Sequence, residues 1–280
     1  MLDLIINREL IKVDWLEFSD GAITCTVEPL QIAEVDYLTI SVDPVTPVKQ
    51  IIEELNLLKD ALERQNVKIF SQNKANLYLP YLPYGRADRV FLEGNPLPLE
   101  VFLLQLDKIG FKKIYLVDPH SKAVDFNKYS FDVSIKAQLT CLVDSVFVGH
   151  PNWDYVVCPD AGAILKSKII AEYYNIPVIY AKKIRCKFTG KILSINLTST
   201  VKENSRVLIA DDILDGGGTF IPLAEELKAQ SCTIDLYVTH MIASKGLSIF
   251  KNKIDKIFCF HTVGTKTDKH QIARFNQGKI

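Results

Sequence analysis

Nine consecutive residues, Asp211-Asp212-Ile213-Leu214-Asp215-Gly216-Gly217-Gly218-Thr219, gather the groups best suited to hold a sugar phosphate. The apolar run Arg206 to Ala210 just before them reads as a buried strand. Asp211 and Asp212 then fall at the carboxyl edge of a sheet, where α/β folds bind their ligands. Glycines let the backbone turn tightly and bring its N–H groups close to a ligand. The helix pattern Phe220 to Ala229 follows directly, and a helix N-terminus favours a phosphate. Thr219 offers a hydroxyl and a cap for that helix. Asp211 and Asp212 suit adjacent hydroxyls of a polyol, or a magnesium ion bridging to them. A phosphate at one end and vicinal hydroxyls at the other describe a sugar phosphate. Capping a strand and starting a helix requires only one aspartate and one glycine, so the full string asks for more than that. It is not a P-loop, because no G-x-x-x-x-G-K-S or G-x-x-x-x-G-K-T occurs in the chain.

The string resembles the phosphoribosyl-diphosphate-binding signature shared by type I phosphoribosyltransferases and ribose-phosphate diphosphokinases. Four further segments resemble the diphosphokinases, in the order that family shows. Pro83-Tyr84-Gly85-Arg86-Ala87-Asp88-Arg89 is similar to the nucleotide-binding loop, and the resemblance sets Arg86 against ATP, where a guanidinium forks onto oxygens and stacks on a base. Val117-Asp118-Pro119-His120-Ser121 resembles the D-x-H motif, which implies contact of His120 with magnesium and ATP. Cys158-Pro159-Asp160-Ala161-Gly162 resembles a segment in which Asp160 touches magnesium or ribose. Lys183-Ile184-Arg185 resembles the K-x-R of a mobile catalytic loop, whose positive charge stabilises the transition state of phosphoryl transfer. Phe18-Ser19-Asp20-Gly21 resembles a segment that lends an aromatic and a polar contact to a neighbouring subunit's adenine. Taken singly, these segments read as a solvated basic turn, a structural histidine, a helix cap and a plain loop; their force lies in the set.

The resemblance implies a magnesium-dependent transfer of the diphosphoryl group of ATP to the 1-hydroxyl of ribose 5-phosphate, giving phosphoribosyl diphosphate and AMP. Asp215 to Thr219 would fix the 5-phosphate and Asp211 with Asp212 the ribose hydroxyls. Lys183 and Arg185 would carry the catalytic charge. Phe18, Asp20, Arg86 and His120 would meet ATP, and His120 with Asp160 the metal. It also implies a homo-oligomer with active sites shared between subunits. The alternatives are a phosphoribosyltransferase that consumes phosphoribosyl diphosphate, and a catalytically silent regulatory subunit; retention of Lys183, Arg185 and the aspartates argues against the latter. The chain departs from the family at Ala87, where glutamine is usual, at Ala22, where a glutamate is usual, and in the less charged, shortened stretch Val90 to Gly94. All these departures lie on the nucleotide side.

The elements needed to position such groups can be read from patterning. Apolar runs predict strands at Tyr37 to Val42, Asn76 to Leu82, Lys113 to Val117, Tyr155 to Cys158, Val178 to Tyr180, Arg206 to Ala210, Leu236 to Thr239 and Lys256 to Phe260. Several are nearly continuous in Val, Ile, Leu and Tyr, as parallel strands covered on both faces are. Helix patterns lie between them: after Pro47 with Ile51, Leu55, Leu58 and Leu62 on one face, at Leu99 to Ile109 before Gly110, at Ala163 to Tyr174, and at Phe220 to Ala229. The strands are too many for one sheet of about five or six. The expectation is therefore two doubly wound, mostly parallel α/β domains, residues 1–140 and 141–280, resembling the type I phosphoribosyltransferase fold in tandem.

Bulk properties are those of an ordinary soluble globular protein. Of 280 residues, 48% are hydrophobic and 24% charged, and 33 Lys and Arg balance 33 Asp and Glu. The balance gives no electrostatic case for nucleic-acid or membrane-surface binding. The six cysteines form no C-x-x-C pair, which favours a reducing cytoplasm. No apolar run reaches the roughly 18 residues needed to span a bilayer.

Overall fold

A computed structural model describes residues 2–30, 35–146, 152–185 and 192–264, with the side chains of Arg185, Ile192 and Leu193 outside the described set. The chain divides into two units, Met1–Lys136 and Ala137–Ile280.

In the first unit the strands are β1 (Leu2–Ile6), β2 (Glu9–Ile11), β3 (Val13–Glu17), β4 (Ile23–Val27), β5 (Leu38–Val42), β6 (Ala75–Leu79), β7 (Lys113–Val117) and β8 (Asp132–Lys136). Six of them form one sheet in the order β2-β1-β5-β6-β7-β8, while β3 and β4 make a separate hairpin. From β5 to β8 the pairing is parallel, which requires crossovers; helices α1 (Val48–Arg64) and α2 (Pro98–Ile109) supply two of them. Helix α1 forms because Ile51, Leu55, Leu58 and Leu62 share a face that is buried in the core. Proline opens α2, where its missing N–H costs nothing, and Gly110 closes it at φ +92°.

The second unit contains α3 (Gln138–Ser145), β9 (Tyr155–Cys158), α4 (Ile164–Tyr174), β10 (Val178–Arg185), β11 (Ile192–Leu197), β12 (Arg206–Leu214), α5 (Phe220–Lys228), β13 (Thr233–Met241) and β14 (Lys256–Thr262). Its six-stranded sheet runs β11-β10-β9-β12-β13-β14. All neighbours are parallel except β10 and β11, which form an antiparallel ribbon. Val157, Val207, Ile209, Leu236 and Val238 of the central strands pack with Leu223 and Leu227 of α5.

Two mostly parallel α/β sheets are thus present, the class the patterning predicts. Two of the strands that run longer than expected have consequences for the site. Strand β12 continues through Asp211 and Asp212 to Leu214, so the two aspartates lie within the strand, not just past it. Strand β10 continues to Arg185, so Lys183 and Arg185 stand on a paired strand rather than in a loop. Strands β1 to β4, β8 and β11 and helix α3 escape a search for continuous apolar runs. Val13-Asp14-Trp15-Leu16-Glu17 and Ile192-Leu193-Ser194-Ile195-Asn196-Leu197 mix polar and apolar side chains, as expected of strands at a sheet margin or in a hairpin with one face toward water.

Candidate active site

Strand β12 pairs with β13 along its whole length, from Arg206↔Thr233 to Leu214↔Met241, but with β9 only over Val207 to Ile209. Strand β9 stops at Cys158 and leaves the sheet through the turn at Asp160, so Asp211 and Asp212 lie on the part of β12 that has outrun β9. The cleft of an open α/β sheet forms where neighbouring strands part in this way.

Three carboxylates and two ammonium groups meet there. Asp160 caps the turn that leads into α4: its Oδ1 accepts from the Gly162 N–H (3.0 Å) and the Ala163 N–H (3.3 Å). Its Oδ2 accepts from Lys183 Nζ at 2.7 Å, and Lys183, with a side chain only 8% exposed, also donates to Thr219 Oγ1 at 3.0 Å. Lys166, in the first turn of α4, donates to Asp212 Oδ2 at 3.1 Å. Asp211 receives the Asp212 N–H at 2.9 Å and, among the described residues, no lysine ammonium. Burial, followed by the charges of Asp212 and Asp160, pushes its carboxyl up to about 7; the Asp212 N–H and Lys183 offset this only in part.

The glycine loop lies between this cluster and α5. Only Gly217 is required by backbone geometry, at φ +75°, where a Cβ would also lie 2.9 Å from Ile221 Cδ1 and 3.0 Å from Phe250 Cζ. A Cβ on Gly218 would meet nothing within 4 Å. The Ile221 N–H makes a helix-opening bond, to Gly217 O at 3.0 Å. The N–H groups of Gly218, Thr219 and Phe220 precede it and belong to the unpaired donors that every helix start presents. Asp215, partly buried, opens the loop. Thr219 does not cap α5 as expected; no side-chain cap bond forms there, and its hydroxyl is taken up by Lys183.

In the first unit the loops after β6 and β7 come together. A Cβ on Gly85 would lie 3.7 Å from His120 Cβ, and Asp88 Oδ2 accepts from Ser121 Oγ at 2.9 Å. The hydrogen bond from Arg89 Nε to Asp88 Oδ1 (3.0 Å) holds the Asp88 carboxyl below its ordinary range despite partial burial. The two segments expected to meet ATP, with exposed Arg86 in one and His120 in the other, therefore share one sheet edge. Phe18 and Asp20 sit elsewhere in this unit, at the tip of the β3–β4 hairpin. Phe18 is 50% exposed, and Asp20 Oδ1 accepts the Ala22 N–H at 3.0 Å. Arg185 ends β10, and its side chain lies outside the described residues.

Among the described residues no group of three or more His, Cys, Asp or Glu stands ready to hold a metal ion. Asp160, expected as a metal contact, has both oxygens engaged inside the protein. Asp211, short of positive charge, is the carboxylate with most to gain from a cation or from hydroxyl donors. Lys166 was not among the residues singled out from sequence, although it left a signal. A lysine in the first turn of a helix opposes the macrodipole and calls for a nearby carboxylate.

Residues 144–275 match the family model described as the phosphoribosyl transferase domain. A ribose-phosphate pyrophosphokinase of Sulfurisphaera tokodaii is 30% identical over 222 residues, covering 79% of this chain and 72% of that protein. The chain belongs to the ribose-phosphate pyrophosphokinase family. A second member, from Saccharolobus solfataricus, is 26% identical over 271 residues, covering 95% and 88% of the two chains. The crystal structure of phosphoribosylpyrophosphate synthetase from Mycobacterium smegmatis superposes with a TM-score of 0.74 over 90% of this chain and 80% of that one, at 19% identity, and so shares the fold. The enzyme class expected from the sequence, a diphosphokinase rather than a phosphoribosyltransferase, is the one these family members carry. No described helix is long and apolar enough to cross a membrane.

Proposed function

We propose that the chain transfers the diphosphoryl group of ATP to the 1-hydroxyl of ribose 5-phosphate, forming phosphoribosyl diphosphate and AMP. The observation that carries this reading is the junction of Lys183 with Asp160 and Thr219 beside Asp211: a fixed cation, a glycine loop at a helix start and a charge-deficient carboxylate occupy one edge of one sheet.

In this reading the N–H groups of Gly218, Thr219 and Phe220 hold the 5-phosphate, and the side chains of Asp211 and Asp212 accept hydrogen bonds from the ribose hydroxyls. Bidentate anchoring leaves the 1-hydroxyl as the free nucleophile, and positioning of this kind accounts for much of a phosphoryl-transfer rate. The 1-hydroxyl oxygen forms a bond to the β-phosphorus as the bond from that phosphorus to the α,β-bridging oxygen breaks; the hydroxyl proton passes to solvent, and AMP leaves with the bridging oxygen. Lys183, with Arg185, offsets the negative charge that develops. Arg86 and His120 take the nucleotide. Magnesium, if carried in with the triphosphate, would supply charge neutralisation, and Asp211 is the protein carboxylate that would hold it. Phe18, an exposed aromatic on a hairpin tip, supports completion of the nucleotide site by a second copy in a homo-oligomer. The thiols of Cys25, Cys158 and Cys232 support a reducing cytoplasm.

The test is AMP release from ATP that depends on ribose 5-phosphate, run with several nucleoside triphosphates. Release of AMP without phosphoribosyl diphosphate, or only diphosphate release from phosphoribosyl diphosphate and a base, would assign the fold to another reaction.

A further inference from the structure

The glycine loop is met from its other side by the turn that follows β13, and this turn is stapled to the loop at both ends. At its start, the N–H groups of Ile242 and Ala243 both donate to Leu214 O, the last residue of β12, at 2.8 and 3.1 Å. At its end, Ile249 Cδ1 and Phe250 Cζ would lie 3.1 and 3.0 Å from a Cβ on Gly217. Between these anchors the chain bends through Ala243 at φ +47°, a buried residue in a region that a Cβ disfavours, and through Gly246 at φ +73°. The turn therefore has a fixed place against the loop, and Lys245 lies at its crest.

Lys245 is exposed, yet its side chain runs along the loop. A Cβ built on Gly216 would lie 3.5 Å from Lys245 Cε, 3.7 Å from Cδ and 3.9 Å from Nζ. Gly216 does not have a positive φ, and a Cβ there would meet the lysine stem at ordinary van der Waals distance, so the stem lies directly against the loop at this residue. Charge accounting points the same way. A sugar 5-phosphate brings close to two negative charges, while the loop itself contributes neutral amides and the carboxylate of Asp215. Lys183 is shared with Asp160, and Lys166 with Asp212. Lys245 is the lysine beside the loop that, among the described residues, no carboxylate engages.

We propose that Lys245 is a further binding residue for the 5-phosphate of the sugar substrate, reaching over Gly216 to give the glycine loop a cation of its own. The inference rests on the reading that this loop holds the phosphate. It makes Lys245 a determinant of ground-state affinity and of selectivity for phosphorylated over free ribose, with no part in the transfer itself.

Steady-state kinetics and calorimetric titration with ribose 5-phosphate and with inorganic phosphate, at low and high salt, test it. Lys245→Met keeps the stem on Gly216 and removes the charge; its KM for ribose 5-phosphate should rise about tenfold, the weight of one charge-assisted contact, with kcat within about twofold. The weakening should shrink as salt rises, and Lys245→Arg should restore most of the affinity. A variant of the open loop position, Gly218→Val, serves as reference. If Gly218→Val weakens ribose 5-phosphate while Lys245→Met leaves its KM and salt dependence unchanged, Lys245 has no such role and the loop reading stands. If neither variant alters ribose 5-phosphate binding, the loop reading fails and takes Lys245 with it. Loss of kcat in Lys245→Met that arginine does not repair would show a structural role and overturn the proposal.

Discussion

The ammonium of Lys183 lies 3.0 Å from the hydroxyl of Thr219, which ties the strand that carries the proposed catalytic charge to the loop that receives the phosphate. Its other partner, Asp160 Oδ2 at 2.7 Å, belongs to the turn that opens α4. One side chain thus couples β10, the α4 turn and the glycine loop. Binding of an anionic substrate changes the field at all three.

Lys183→Ala should therefore act on turnover first. Its loss removes the fixed cation at the transferring group and should cut kcat by about a hundredfold or more. Ribose 5-phosphate affinity should fall by less than about fivefold, because the loop amides remain. Rapid-quench turnover and isothermal titration on the same preparation separate the two effects.

Asp211 sets a dependence on pH. Its folded carboxyl is raised to about 7, above its unfolded range, so between about pH 4 and 7 the folded state binds a proton that the unfolded state has lost. This group therefore subtracts stability as pH rises through that window; below it the penalty is absent and above it the penalty is complete. Asp211→Asn should melt at the same temperature as the parent near pH 4 and a few degrees higher at pH 8, a difference visible in paired thermal melts. Equal melting temperatures at pH 8 would mean that the carboxylate is not strained by burial.

The second and third glycines of the loop should respond differently. Gly217→Ala meets both a positive φ and a contact of 2.9 Å, and should cost roughly 2–4 kcal/mol in urea denaturation. Gly218→Ala meets no protein atom and should leave stability within about 0.5 kcal/mol.

Lys166 and Asp212, with side chains 17% and 12% exposed, form a largely desolvated pair. Removing the cation alone, in Lys166→Met, strands a carboxylate and should destabilise the unit by roughly 3 kcal/mol at neutral pH. Lys166→Met combined with Asp212→Asn should recover most of that loss while still weakening ribose 5-phosphate, a separation that a double-mutant cycle measures.

Much of this arrangement is legible in the sequence, for reasons that particular residues make clear. Strands β9 and β12 are buried on both faces, so Tyr155 to Cys158 and Arg206 to Ala210 read as continuous apolar runs. Ile51, Leu55, Leu58 and Leu62 announce α1 by their spacing. The glycine string declares its position because three adjacent glycines between a strand and a helix stand out in the sequence, although backbone geometry requires only Gly217. Pattern could not show that β12 continues past Ala210, since Asp211 and Asp212 interrupt the apolar run although β13 still pairs with Asp211. Nor could it show that Lys183 points inward: Ala181, Lys183 and Ile195 of the β10–β11 ribbon place a lysine where an apolar residue would ordinarily go, and only the three-dimensional meeting with Asp160 and Thr219 explains it. Pairings across long sequence separations, such as Lys166 with Asp212 and Ser121 with Asp88, belong to tertiary structure and leave at most a local oddity behind.

The most direct measurement is a crystal structure with ribose 5-phosphate bound. The phosphate should lie within hydrogen-bond distance of the N–H groups of Gly218, Thr219 and Phe220, with the ribose hydroxyls on the carboxylates of Asp211 and Asp212. A well-occupied sugar phosphate bound anywhere else, with that loop empty, would contradict this placement.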